Sequence, residues 1–241
     1  MVVKTRAIVL HTMKYGESQI IVDFLTESMG RLTFMVKLAK SARAKMKKQY
    51  FQPFSVLDII FEHRSNKKMQ KLSDVAIAVP ITGLALSPYK QAISLFLAEF
   101  LTYATRNEQE NKPLFQFVYN SLLWLDMSQG NVANFHLVFL MHLTLYLGFS
   151  PNMENETQGA YFDLQEGCFT SYVPLHANYL SKEDTIKLKA MVRLQYQTMH
   201  LYTMSRQERN YCIEVIEKYY RLHLPNFPEL KTLPILRELF A

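Results

Sequence analysis

Five short stretches in the first 80 residues alternate between apolar and polar side chains, with no long helical pattern between them. In the clearest of them, Leu57, Ile59 and Phe61 fall on one face of an extended chain. A period of two is typical of β-strands that bury one face. The predicted strands cover residues 5–11, 19–26, 31–38, 55–64 and 69–79. Five short strands in so few residues predict a small closed barrel of the OB-fold type, although an SH3-like barrel would give the same pattern.

Beyond Pro80 the spacing of apolar residues becomes that of α-helices. Ser87 and Pro88 suit a helix start, and Gly148 is suited to end a helix that is apolar nearly all round. Helices are predicted from residue 88 onward and at 114–125, 135–147, 181–199, 205–223 and 229–240. The predicted fold is α+β and multi-domain: a five-stranded OB-fold barrel in residues 1–80, then a mostly α-helical domain in residues 81–241 with a small β-hairpin insertion at about 150–176.

The chain carries a net charge of +6, and its positive charge is concentrated in the first third. Residues 1–80 hold 14 Lys and Arg against six Asp and Glu, whereas the remaining residues have a small excess of acids. The densest run is residues 31–48, with seven cations, and no acid occurs between Glu27 and Asp58. A solvated lysine-rich loop would explain the run alone, but the uneven division of charge points to a polyanionic partner for the barrel.

Cations on a barrel strand and its following loop, close to aromatic side chains, suit the backbone of a nucleic acid. We therefore predict phosphate contacts from the cations of this segment, namely Lys37, Lys40, Arg43, Lys45, Lys47 and Lys48. The aromatic residues Tyr50 and Phe51 end the segment. Stacking on bases is one role open to them, and packing beneath the loop is the expected one.

The sequence lacks the motifs of common catalytic and cofactor sites, among them the P-loop, the dinucleotide-binding, the zinc-protease and the serine-hydrolase patterns. Its two cysteines, Cys168 and Cys212, are too few for a four-cysteine metal site or a disulfide framework, and they indicate reduced thiols in a cytosolic protein. His136 and His142 lie six residues apart, on different sides of a helix, and are interpreted as structural. These observations favour a binding protein with no catalytic residue, metal or cofactor.

No segment suits insertion into a membrane. The longest apolar run, residues 135–149, contains two histidines and is too short to span a bilayer. The first residues lack the apolar core of a signal peptide. We therefore expect a cytoplasmic protein with no membrane partner.

Several segments, in order along the chain, resemble the bacterial RecO family of recombination mediators. Residues 5–10 (TRAIVL) are similar to the family's first strand, 15–17 (YGE) to its first turn, and 51–54 (FQPF) to its lead into strand four. Near the end of the chain, Arg209 and Tyr219 are similarly matched. The resemblance covers nearly the whole chain.

The resemblance implies a protein that acts by binding and not by breaking bonds. Members of the family bind single- and double-stranded DNA, anneal complementary strands and work with the partner RecR in the RecF pathway. Together they help RecA load on single strands coated by the single-strand-binding protein SSB, whose acidic tail would be a ligand of the helical domain. The family also implies a location at the bacterial nucleoid. The predicted cations fall where the family's barrel is basic, and Arg31, Arg6 and Lys14 are weaker candidates for DNA contacts.

One departure from the family concerns zinc. Many members carry two CxxC pairs in the hairpin region and bind a zinc ion there, but residues 150–174 contain only Cys168. We therefore expect no zinc. The hairpin is instead expected to be held by the packing of its aromatic side chains, Tyr161, Phe162, Phe169 and Tyr172.

Two other functions fit a basic barrel. An RNA-binding OB-fold protein would carry the same charge, and only the relative affinities for DNA and RNA would separate it from a DNA-binding one. A nucleic-acid-processing enzyme, such as a nuclease, is the second alternative. The basic third offers few acids to hold magnesium for such an enzyme.

Overall fold

The computed structural model describes residues 1–38, 46–154 and 160–239. The chain forms two compact units: Met1–Ser128 with Leu230–Leu236, and Gln129–Glu229 with Arg237–Ala241. The strands are β1 (Val2–Tyr15), β2 (Gln19–Thr26), β3 (Gly30–Lys37), β4 (Val56–Glu62), β5 (Met69–Val79), β6 (Tyr161–Asp163), β7 (Cys168–Thr170) and β8 (Tyr179–Leu180). The α-helices are α1 (Pro88–Ala104), α2 (Lys112–Met127), α3 (Phe135–Leu147), α4 (Asp184–Arg193), α5 (Arg206–His223) and α6 (Leu233–Leu239).

The first five strands close a barrel in the order β1-β2-β3-β5-β4, and β4 pairs back onto β1. Neighbouring strands are antiparallel except for β3 and β5, which run parallel. This strand order is that of the OB-fold and excludes the SH3-like alternative. The predicted five-stranded OB-fold barrel is confirmed.

The barrel interior is filled by phenylalanine rings from successive strands. Phe34 lies between Phe24 and Phe61, with ring centroids 5.3 and 4.9 Å away and edge-to-face geometry. Phe51 closes one end of the barrel and meets Phe24 at 6.4 Å. All four side chains are at most 1% exposed. Each such ring contributes the burial of a large apolar surface, with edge-to-face contacts adding about 0.5–1.5 kcal/mol per pair.

Strand β1 is longer than its alternating pattern predicts, with 14 residues. Its first half, from Val2 to Ile8, pairs with β4, and its second half, from Ala7 to Tyr15, pairs with β2. An irregularity in the ladder between Val9 and His11 marks the change of partner. The strand is longer than predicted because each half pairs with a different neighbouring strand. The pattern of side chains along one segment does not reveal such pairing.

The turn between β2 and β3 packs against the loop between α1 and α2. Gly30 has φ +65°, and a Cβ atom added there would lie 2.1 Å from the backbone oxygen of Gln109. The neighbouring Arg31 N–H donates to the Glu108 carbonyl at 3.0 Å. Only glycine combines this backbone conformation with so close an approach, so the turn fixes the barrel to the first two helices.

The second unit is built around α3, whose predicted bounds agree with the structure. Gly148 ends it in the left-handed conformation, with φ +83°. From α5, the buried Tyr220 hydroxyl donates to the Leu140 carbonyl at 2.8 Å. His136 is buried in this core, as interpreted from the sequence, and burial, aided by the nearby Arg209 charge, lowers its pKa to about 3. It is therefore a neutral core side chain at neutral pH.

The predicted hairpin has a third strand, so that the small sheet has the order β7-β6-β8. Asp163 organises it: one carboxylate oxygen accepts from the backbone N–H groups of Gln165 and Glu166, and the other lies 3.1 Å from His176 Nε2. Phe162 and Phe169 pack edge to face at 5.1 Å, as expected. Tyr172 is 73% exposed and does not take part in that packing, contrary to the expectation from sequence.

Two helices are shorter than their patterns predict. The helix predicted to reach residue 199 ends at Arg193 and is followed by irregular chain and a short 3-10 helix, Met199–Leu201. The last helix starts at Leu233 instead of residue 229. Its start is fixed by the Glu99 carboxylate, which accepts from the backbone N–H groups of Lys231 and Thr232. None of the helices in the described part of the chain is both long and apolar enough to cross a membrane.

Candidate nucleic-acid interface

Three described cations of the basic segment lie at the end of β3 and at the start of the short helix that follows it in the chain. Lys37 is the exposed last residue of β3. Lys47 is the N-cap, and Lys48 the first residue, of the 3-10 helix Lys48–Phe51. The neighbours of these cations, Leu38 and Met46, both pack against the same barrel core. Lys37 and Lys47 are thus each next to a residue that is anchored to the barrel core. The remaining predicted contacts, Lys40, Arg43 and Lys45, lie outside the described residues.

The closing 3-10 helix is firmly attached to the barrel. Phe51 is 1% exposed, and its carbonyl accepts a hydrogen bond from the Thr12 hydroxyl at 2.7 Å. Tyr50 packs partly buried against the core. Both aromatic residues therefore have the packing role expected for them, and they hold the lysines that precede them on a rigid support.

Lys14 belongs to the same end of the barrel, because the strand register aligns it with Ile20 of β2 and through it with Val36 of β3. It is exposed near the end of β1. Successive side chains alternate between the two faces of a strand. Lys14 and Lys37, one step apart in this register, therefore point to opposite faces of the sheet.

The outer face of the barrel carries three rows of side chains that run across the strands. At the end, the register aligns Tyr15, Gln19 and Lys37. The next row contains Met13, Ile21, Met35 and Lys71, and the third contains His11, Asp23, Thr33 and Met69. The middle row is apolar up to its lysine, and its Met13 is 49% exposed. We call these three rows the strand face.

Arg31 lies at the other end of β3, six residues from Lys37, or about 20 Å along the strand. Its guanidinium is only 11% exposed and lies 2.9 Å from the Asp23 carboxylate. It also donates to the Thr102 carbonyl of α1. Burial lowers the pKa of Arg31, and the carboxylate of Asp23 opposes that shift. The structure thus gives Arg31 a role in joining the barrel to α1.

Arg6 is likewise occupied by contacts within the fold. Its Nε atom lies 3.9 Å from the Asp58 carboxylate, across the β1–β4 ladder. Its guanidinium carbon lies 5.1 Å from the ring centre of Tyr119 on α2. The structure does not bring Arg6 or Arg31 together with the lysines at the far end of β3.

Sequence reasoning missed the cations around the β4–β5 turn. The parallel pairing of β3 with β5 aligns Met35 with Lys71, so that Lys71 joins the strand face. Lys67 and Lys68 are exposed in the turn just before β5. The buried Gln70 shapes this turn by bonding to the backbone of Arg64 and of Lys67. These lysines count in the basic balance of the first third, but only the closure of the barrel makes them neighbours of β3.

The arrangement is that of a barrel that binds oligonucleotides. In OB-folds the face of strands two and three, with the β1–β2 and β4–β5 loops at its edges, is the usual surface for such ligands. Here that face has the exposed Lys37 and Lys71 on its β3–β5 side, and an apolar row crosses β1, β2 and β3. Among residues 1–38, 46–154 and 160–239, no group of three or more His, Cys, Asp or Glu side chains could hold a metal ion.

The fold and the surface thus define a barrel protein of the nucleic-acid-binding class. Residues 1–80 match the family model described as "Recombination protein O N terminal", and residues 86–234 match "Recombination protein O C terminal". The chain belongs to this family, which is the RecO family expected from the sequence. That membership gives it a role in DNA repair and recombination.

Curated relatives extend over the whole chain. A protein of Phocaeicola vulgatus is 42% identical over 241 residues, and one of Bacteroides fragilis is 44% identical over 241 residues; each comparison covers 100% of both chains. A more distant relative from Porphyromonas gingivalis is 31% identical over 246 residues, again covering 100% of both chains. All three bear the name "DNA repair protein RecO".

Proposed function

We propose that the protein is a DNA-binding recombination mediator that catalyses no reaction itself. It binds single- and double-stranded DNA through its barrel, anneals complementary strands and, with RecR, helps RecA load on strands coated by SSB in the bacterial cytoplasm. Membership of the family supports this role. One observation carries the DNA contact: Lys37 at the end of β3, and Lys47 and Lys48 at the start of the 3-10 helix, have no acidic partner among the described residues.

The strand face suits a single strand laid across the barrel. Phosphates would contact Lys37 and Lys71 on its β3–β5 side, while bases would rest on the apolar row from Met13 to Met35 and on Tyr15, which is 51% exposed. Stacking of bases on such platforms tolerates any sequence. Binding would therefore depend strongly on electrostatic attraction and only weakly on base sequence. A mediator that works on any strand requires such binding.

The test removes these three lysines, in a variant with Lys37→Ala, Lys47→Ala and Lys48→Ala. Each phosphate contact adds about 0.7 to the dependence of log affinity on log salt for single strands. We expect this slope to fall by about two units, nearly independently of base sequence. Oligonucleotide titrations at several salt concentrations measure it. Adding Lys40→Ala, Arg43→Ala and Lys45→Ala tests the remaining predicted contacts.

A control variant changes two exposed lysines elsewhere in the first unit, Lys4→Ala with Lys112→Ala. The control should keep the wild-type slope, because neither residue belongs to the barrel end or the strand face. A folded triple variant with wild-type slope and affinity would move the DNA contact off this end. Titration with RNA of the same base sequence separates the DNA-binding proposal from its RNA-binding alternative.

A second part of the proposal gives the SSB tail a place in the second unit. A groove with a volume of about 360 Å³ is lined mainly by apolar residues of α3 and the chain near it, including Met141, Leu145 and Pro151. Burial lowers the pKa of the lining His142, which keeps it neutral, and the exposed Arg193 follows the lining Val192. An apolar groove with a cation next to it suits a peptide that is both acidic and hydrophobic.

Calorimetry with the full chain and an SSB tail peptide tests this groove. We expect Leu145→Asp to weaken tail binding at least about tenfold, since it puts a like charge into the groove. Leu201→Asp is the matched control, because Leu201 is a comparably exposed leucine outside the groove, at 72% against 65% for Leu145. Equal affinities for both variants would exclude the groove.

We also propose that the small sheet works without zinc. Cys168 is its one cysteine, and burial, aided by the charges of Asp163 and Glu166, raises the pKa of that thiol. A raised pKa disfavours the thiolate that zinc requires. Elemental analysis of protein purified without chelator should find almost no zinc. About one zinc ion per chain would contradict the proposal.

A further inference from the structure

A cavity beside the closing 3-10 helix has the composition of a site for a neutral ring. Its volume is about 390 Å³. One wall comes from the chain around the helix, with Gln49, Gln52 and Phe54, and the other from the start of α1, with Gln91 and Leu95. All of its lining side chains are uncharged. Apolar walls with a few converging polar groups, in a cleft of this size, are typical of small-ligand sites.

The polar side chains of the cavity are three carboxamides and the hydroxyls of Ser55 and Ser94, all of which can both donate and accept hydrogen bonds. Gln49 and Gln52 are exposed at its rim. Gln91 donates its Nε2 hydrogen to the Ala85 carbonyl at 2.8 Å, which directs its oxygen to act as an acceptor. Carboxamides of this kind pair with the edges of nucleobases, most familiarly adenine. A phosphate or a charged peptide would find no counter-charge among the lining residues.

The wall nearest the barrel is held in a fixed shape. Phe54 has a left-handed backbone with φ +65° and is only 2% exposed. Its N–H donates to the Val9 carbonyl at 2.7 Å, and the Val9 N–H donates to the Ser55 carbonyl at 3.0 Å. Such a conformation in a residue other than glycine persists only where neighbouring contacts hold it. This wall of the cavity is therefore preformed.

The cavity continues from the proposed phosphate contacts. Lys47 and Lys48 immediately precede Gln49, as the N-cap and the first residue of the same short helix. A strand whose phosphates contact these lysines would have its neighbouring nucleotides at the mouth of the cavity. We propose that the cavity receives one unpaired nucleobase of the bound strand, an inference that rests on the DNA-binding function proposed above. A paired base enters such a site only after unpairing, so the cavity would favour single strands over duplex.

The test replaces the two rim carboxamides by apolar side chains of similar size, Gln49→Leu with Gln52→Leu. Loss of good contacts to a base edge is expected to weaken single-strand binding about tenfold. Duplex affinity should stay within about twofold of wild type, and the salt slope should not change, because no phosphate contact is removed. Gln109→Leu, at an exposed glutamine outside the cavity, is the matched control and should bind both DNA forms like wild type.

A strand made of abasic sugars separates base contacts from backbone contacts. Such a strand offers no base to the cavity. The wild-type protein and the Gln49→Leu, Gln52→Leu variant should therefore bind it equally. If the tenfold difference persists there, or if the variant binds ordinary single strands like wild type, the inference is wrong. A wild-type protein that binds no DNA would instead refute the proposed function, and the cavity with it. Thermal melting of each variant confirms that it is folded.

Discussion

The cationic side chains at the two ends of β3 have opposite surroundings. At one end, Arg31 is buried against Asp23 and reaches the backbone of α1. At the other end, Lys37 is exposed and has no acidic partner among the described residues. The same kind of charge thus stabilises the fold at one end and is available to a ligand at the other.

The difference follows from what each end packs against. The Arg31 end faces α1 and α2, and its turn approaches the backbone of Gln109 too closely for any side chain at Gly30. The Arg31 side chain is largely removed from water there, so its charge needs a partner inside the protein. Lys37, in contrast, is exposed to solvent, where a cation costs nothing to keep unpaired. Four predictions test this comparison.

The largest effect is expected from Asp23→Asn. The change leaves the nearly buried Arg31 guanidinium without a counter-charge, and breaking a buried ion pair in this way costs about 3–5 kcal/mol of unfolding free energy. Urea unfolding measures the loss. Adding Arg31→Met should recover part of it, because no uncompensated charge then remains. If Asp23→Asn costs less than about 1 kcal/mol, the Arg31 end does not depend on this pair.

The next effect is expected from Gly30→Ala, at about 3 kcal/mol. A left-handed backbone alone costs a residue with a side chain about 1–2 kcal/mol, and here the added Cβ also meets the Gln109 carbonyl at 2.1 Å. Gly16→Ala is the control, since Gly16 has φ +68° but no atom within 4 Å of such a Cβ. It should lose only about 1 kcal/mol. Similar losses for both would show that the turn is not clamped against the helices.

A smaller effect, on DNA binding, is expected from Lys67→Ala with Lys68→Ala. These lysines of the β4–β5 turn are exposed cations near the start of β5, which aligns with the middle of β3. If the strand crosses the whole strand face, the salt slope on single strands should fall by about 1.4, from two lost contacts. The Lys4→Ala, Lys112→Ala protein is the charge-matched control. An unchanged slope would confine DNA to the Lys37 end.

The sequence is sufficient to predict what depends on local pattern. Alternation along each segment predicts the five strands, and residues such as Ser87 and Gly148 predict helix ends that the structure confirms. The period of two also predicts which side chains lie on each side of a strand. The family follows from several short segments in the right order. The boundary at residue 80 and the DNA-binding residues stay predictions.

Features that depend on pairing between distant segments could not be predicted in this way. Nothing in the basic run distinguishes Arg31 from Lys37, yet the β2–β3 register and the nearby α1 give Arg31 a buried partner. Lys71 joins the strand face only because β5 closes the barrel beside β3. The distribution of charge along the chain therefore predicts which third of the protein is basic. Separating structural cations from exposed ones requires the three-dimensional contacts.

The smallest effect is expected from Asp58→Asn, and it tests whether burial, and not ion pairing as such, separates the two ends of β3. Asp58 faces Arg6 as Asp23 faces Arg31, but the atoms are 3.9 Å apart and the side chains are 44% and 36% exposed. Exposed pairs contribute about 0–1 kcal/mol, and salt screens them. Because Arg6 also rests on the Tyr119 ring, it keeps a favourable contact when the carboxylate is lost. We therefore expect a loss of about 0.5 kcal/mol that shrinks further in high salt, measured by urea unfolding beside Asp23→Asn. A loss as large as that of Asp23→Asn would mean that Arg6 is as dependent on its carboxylate as Arg31, and that burial does not explain the contrast.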